Sequence, residues 1–215
     1  MRKEVIVPNQ LKEITLAQYQ KYLKIQEDNK DEKFLAVKMI EIFCGIRGDL
    51  IMKMKANSIQ DITSVLAEMF EQKPLLVREF EMNGINYGFI PSLEDISFGE
   101  YVDLDTYISD TSNMHRAMAV LYRPIVQRYD NKYLIEEYKG ENSEKMKDMP
   151  MDAVLGSILF FYHLGMDLSK VMLNYLQEEE MTSAQQAILQ KNGDGFNQFS
   201  TSLIQTLQEL KISLN

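Results

Sequence analysis

The chain has no tryptophan, one cysteine and two histidines among its 215 residues. The lone Cys44 excludes an internal disulfide and any all-cysteine metal site. It closes the apolar run Met39-Ile40-Glu41-Ile42-Phe43-Cys44, where a cysteine reads as a small core side chain. Such a composition fits a reducing compartment. His115 and His163 have no neighbour at metal-ligand spacing. A nucleophile elbow, a phosphate-binding loop and a dinucleotide fingerprint are also missing. These absences lead us to expect no enzyme, no cofactor and no metal.

Long apolar runs are missing too. The most apolar window, Ala153 to Leu164, is about a dozen residues, whereas a membrane span needs about 20. It reads as a buried core helix, and no membrane partner is expected. The opening MRKEVIVPNQ has too short an apolar stretch for a signal peptide.

Positive charge is scarce beyond residue 90. Residues 1–90 balance, with 13 basic and 13 acidic side chains, whereas 91–140 carry 5 against 9 and 141–215 carry 5 against 10. The net charge of −9 repels phosphate backbones, so nucleic acid is not an expected partner. A positively charged protein surface is a better one.

What is present suggests a mainly α fold with a small antiparallel β-hairpin or sheet, in the α+β class. Thr15 opens a helix with Leu16, Tyr19, Tyr22 and Leu23 on one face. A second helix is expected from about Glu32 to Ile46, ended by Gly45 and Gly48. A third is expected after a Ser58–Asp61 capping box. Asn83-Gly84 separates alternating runs at 75–82 and 85–90, the signature of a tight hairpin. Lys3 to Val7 is a candidate third strand. Ser97 and Glu100 form a capping box that opens a helix near Phe98. Another helix covers about Asn113 to Tyr122 and breaks before Pro124, and 126–138 fits either a strand or a short helix. Pro150 suits a helix start and Gly165 a helix end, with a further helix from about Asp167.

Asn192-Gly193-Asp194-Gly195 breaks the chain. It resembles a calcium loop only in its middle, because Gln190 and Thr201 stand where acidic ligands are required. We therefore expect one mostly helical domain over residues 1–190 and an amphipathic helix over 191–215. Phe199, Leu203, Leu207 and Leu210 line that last helix. Such a stripe packs on its own domain, on a second copy, or in another protein's groove. The 14 methionines add shape-adaptable surface.

The segment from Pro91 to Asp110 is the most informative. It carries Glu94, Asp95, Glu100, Asp103, Asp105 and Asp110 without a lysine or arginine. Part of this acidity suits a helix N-terminus. The remainder suggests a docking surface, with Glu94, Asp95, Glu100, Asp103 and Asp105 as candidate protein-binding residues beside the C-terminal stripe.

FIPSLEDISFGEYVDLDTYISD, then HRAMAVLYRPI, then MKDMPMDAVLGSILFFYHLG, together with ITLAQYQKYLKI near the start, resemble proteins of tailed bacteriophages. These are grouped loosely as tail or baseplate-hub assembly proteins and tail-assembly chaperones. The resemblance covers roughly residues 14–175 and supplies no active-site residues. It implies a host-cytoplasmic assembly factor that binds a tail or baseplate structural protein. Alternatives are a permanent minor virion component (baseplate, connector or packaged protein) and an acidic DNA mimic that inhibits a host enzyme.

Overall fold

The computed structural model describes residues 5–140 and 143–177, together with 201, 204–206 and 208, with side chains continuous through 167 apart from 141–142. The Phe199, Leu203, Leu207 and Leu210 stripe lies outside the described residues. Within them the fold is mainly helical with one small antiparallel sheet.

Helix α1, Leu16–Asp28, starts at Thr15, whose hydroxyl accepts from the Gln18 amide while the Gln18 side chain accepts from the Thr15 amide. Its buried residues are Leu16, Tyr19, Tyr22 and Leu23, the face that the 3.6-residue period selects. Helix α2, Glu32–Phe43, is capped by Asp31. It is followed by a short helix α3, Gly48–Ile51, and by α4, Ala56–Phe70. Tyr19, Tyr22, Phe43 and Phe70 lock three of these helices together, with ring centroids 5.2–5.4 Å apart.

Helix α4 corrects one expectation. It begins at Ala56 after Lys55, so Ser58 and Asp61 lie inside it and form no cap. The burial of Ile62, Leu66 and Met69 fixes this helix more strongly than a surface cap does.

Strands β1, Glu79–Met82, and β2, Ile85–Phe89, form the expected hairpin, with Met82 opposite Ile85. Asn83 and Gly84 take φ of +53° and +75°, the pair that a two-residue hairpin turn demands. Gly84→Val should therefore cost about 1 kcal/mol or more, because a β-branched residue resists positive φ. A chemical-denaturation midpoint unchanged by the substitution would contradict this.

Chain order then continues with α5, Phe98–Tyr107, α6, Met114–Leu121, and strands β3, Tyr122–Tyr129, and β4, Lys132–Ile135. The sheet order is β1-β2-β3-β4, antiparallel throughout. The third strand is thus β3. Val5–Val7, part of the segment expected to pair there, lies outside the sheet. Pro124 pairs opposite Tyr87 in this central strand, a place where proline is rarely found. The β3–β4 turn uses Asp130 at φ +47°, a conformation aspartate tolerates better than most residues.

Helix α7, Met151–Gln177, is continuous. Gly165 lies inside it and is buried, so it ends nothing, and no separate helix starts at Asp167. Glycine disfavours a helix interior by about 1 kcal/mol relative to alanine, and packing overrides that here. Ala153, Val154, Leu155, Ser157, Ile158 and Leu159 are all buried, as expected of a helix that is apolar all round. Backbone bonds Leu16 N–H to Met149 O (2.9 Å) and Met151 N–H to Ile14 O (3.0 Å) join the starts of α1 and α7. Among the described residues no helix is long and apolar enough to cross a membrane.

Candidate functional site

Helix α5 is held from one side and open on the other. Its inner anchor begins with the capping box read from the sequence. Ser97 N–H donates to Glu100 Oε2 at 2.8 Å, and Glu100 N–H donates to Ser97 Oγ at 3.3 Å. The Glu100 carboxylate also meets the Arg123 guanidinium of β3 at 2.7 Å, with side chains only 7% and 13% exposed. Burial pushes the Glu100 carboxyl up. The bonds from Ser97 and the Arg123 charge outweigh burial and hold it below the ordinary carboxylate value. Tyr138 Oη donates to Asp103 Oδ2 at 2.6 Å, and the Arg123 guanidinium lies 5.9 Å from the Tyr138 ring centre. Leu104 and Ile108 are buried beneath the helix. The Ile108 carbonyl accepts a bond from the buried Thr206 hydroxyl at 3.1 Å. That bond is one point at which the C-terminal segment touches the rest of the chain.

The outer face carries Phe98, Tyr101 and Val102, which are 81%, 48% and 42% exposed. Their i, i+3, i+4 spacing places them on one stripe of the helix. Asp105 continues that stripe, and Glu94 and Asp95 precede it; all three are exposed. This face is an apolar strip with carboxylates at both ends.

The structure therefore divides the five acidic candidates. Glu94, Asp95 and Asp105 are free to meet a partner. Glu100 is a correction: it is buried and spent on the cap and on Arg123, so it cannot belong to a docking surface. Asp103 is half-buried and engaged by Tyr138. Asp110 is likewise used locally, accepting from the Ser112 and Asn113 amides at 2.8 and 3.3 Å. The helix dipole accounts for Glu100 alone, as the acid of the first turn. Asp105 lies in the last turn, where that dipole disfavours a negative charge.

Sequence reasoning missed Phe98, Tyr101 and Val102. The available signal was the opposite face: once Leu104 and Ile108 are taken as core, a helical wheel turns Phe98 and Val102 to solvent.

Other titratable residues are dispersed. His115 is buried on α6, with Nε2 3.2 Å from Glu144 Oε1 but not aligned for a hydrogen bond. Burial and the nearby Lys147 charge lower its pKa against the pull of Glu144. His163 is exposed on α7. Cys44 is half-buried, and burial pushes its thiol up. Among the described residues no group of three His, Cys, Asp or Glu side chains is placed to hold a metal ion. A groove of about 470 Å³ runs between Lys73–Arg78 and α7, lined by Leu75, Leu76, Leu159 and Phe160.

Comparison of the chain with protein-family models, curated proteins and solved structures finds no match.

Proposed function

We propose that this chain is a non-enzymatic assembly factor of a tailed bacteriophage, which binds a tail or baseplate structural protein in the host cytoplasm through the outer face of α5. The observation that carries the reading is the exposed Phe98–Tyr101–Val102 strip on a helix whose other side is fixed by Glu100, Asp103, Leu104 and Ile108. Isolated exposed apolar residues are common on monomers, but a contiguous strip with a polar rim is typical of an interaction site. The bacteriophage context comes from the sequence resemblance over residues 14–175.

The test combines particle composition with capture. A transient factor should be missing from purified particles and should retain a tail or baseplate protein from cells in mid-assembly. Phe98→Ser with Val102→Ser should abolish that retention while leaving the circular dichroism spectrum unchanged, because both positions face solvent. Fixed stoichiometry in finished particles would instead favour the permanent virion component. Retention of a host nucleic-acid enzyme would favour the DNA mimic.

A further inference from the structure

We infer that the α5 face receives an amphipathic helix with an apolar seam and flanking lysines or arginines. The inference rests on the docking reading above and adds the chemistry of the partner.

The first argument is shape. Phe98, Tyr101 and Val102 form a ridge along α5, and ridges of this kind seat against the groove of another helix. An added β-strand is excluded because the α5 backbone groups between its ends are already paired within the helix, leaving no free edge. Large aromatic side chains at the centre of a contact carry most of its energy, and Phe98 and Tyr101 occupy that place.

The second argument is charge. Glu94 and Asp95 lie beyond one end of the ridge and Asp105 beside the other, all exposed. Opposite charge on the partner's flanks would steer the encounter and fix its direction. A second copy of this chain fits poorly. A two-fold contact sets each patch against itself and would oppose the same three carboxylates. An anionic lipid surface is repelled for the same reason.

The third argument is preparation. The Glu100–Arg123 pair and the Tyr138–Asp103 bond immobilise α5 from behind. A helix already fixed loses little freedom when a partner docks.

The experiment uses the full chain and two fluorescent peptides of about 18 residues, long enough to form an isolated helix. One has leucine at i, i+3, i+4 and i+7 with lysine elsewhere. The other replaces every lysine with glutamate. Anisotropy should show binding of the lysine peptide only, weakening as salt rises. Phe98→Ser with Val102→Ser should weaken it by about tenfold or more. Glu94→Gln with Asp95→Asn should weaken it less and flatten its salt dependence. Glu68→Gln with Glu71→Gln, a charge-matched change on exposed positions in and just after the last turn of α4, should leave it unchanged. Equal binding of both peptides, or equal loss in the α4 control, would overturn the inference. If the Phe98→Ser, Val102→Ser variant loses the tail or baseplate protein but not the lysine peptide, the docking reading stands and the basic-helix partner is wrong. If it loses the lysine peptide while the wild type captures no tail or baseplate protein, the partner chemistry stands and the assembly reading is wrong.

Discussion

Arg123→Ala should destabilise the fold by about 3 kcal/mol, the order expected when one member of a buried ion pair is removed. The loss comes from Glu100, which would keep its charge in a buried position without the guanidinium at 2.7 Å. The ring contact with Tyr138 would go as well. The pair itself contributes less than this loss, because Arg123 Nε is buried without a hydrogen-bond partner. A Glu100→Gln, Arg123→Met double variant should therefore recover most of the stability. The pH dependence follows from the lowered pKa of Glu100. In the wild type this stabilisation is present above the unfolded carboxylate value, about 4.3, and is lost as pH falls through the folded value. In Arg123→Ala the carboxyl takes up a proton at higher pH, which removes the stranded charge. Urea denaturation should therefore show the widest gap between variant and wild type near pH 7 and a narrower one near pH 4. A constant gap would mean that the pair is not the cause.

Gly156→Val should cost about 2–3 kcal/mol through overpacking. A Cβ at Gly156 would lie 2.4 Å from the Leu75 carbonyl oxygen and 3.0 Å from its carbon. Those are backbone atoms, so no side-chain rotation relieves the contact. Either α7 or the 73–78 segment must move, and that segment leads into β1. Tyr122 Oη donates to the Val77 carbonyl at 2.7 Å, which holds the segment in place. Gly156→Ala should cost less, because the helix gains about 1 kcal/mol from replacing glycine. Thermal unfolding of both variants would check the order, and a stabilised Gly156→Val would show that the close approach does not exist.

Several elements were legible because their signals are local. Thr15 with Gln18 and Ser97 with Glu100 each satisfy helix-end amides within four residues, and both boxes form. Asn83-Gly84 needs only its own backbone freedom to turn. The misreadings share a different cause. Gly165 looked like a helix end and Ser58 like a helix start, yet each lies inside a helix stabilised by distant packing. Residues 126–138 fit either a strand or a short helix by sequence, and only cross-strand pairing decided for β3 and β4. The candidate site divides in the same way. Its acidity was evident in the sequence, but which acids are free was not, because Arg123 and Tyr138 reach Glu100 and Asp103 from β3 and from beyond β4.

The sequence by itself determined the mainly helical class, the hairpin at Asn83-Gly84, the face of α1 that is buried and the cap that starts α5. Each rests on periodicity or on contacts a few residues apart, which the order of side chains specifies. Only the tertiary structure decided that Glu100 is an internal ion-pair partner, that Asp103 is engaged, and that Phe98, Tyr101 and Val102 face outward. A helix with apolar residues on both sides does not state which side the core will cover. That choice is made by what packs against it, and here Leu104, Ile108 and the Arg123 charge draw one face of α5 inward and leave the other to solvent.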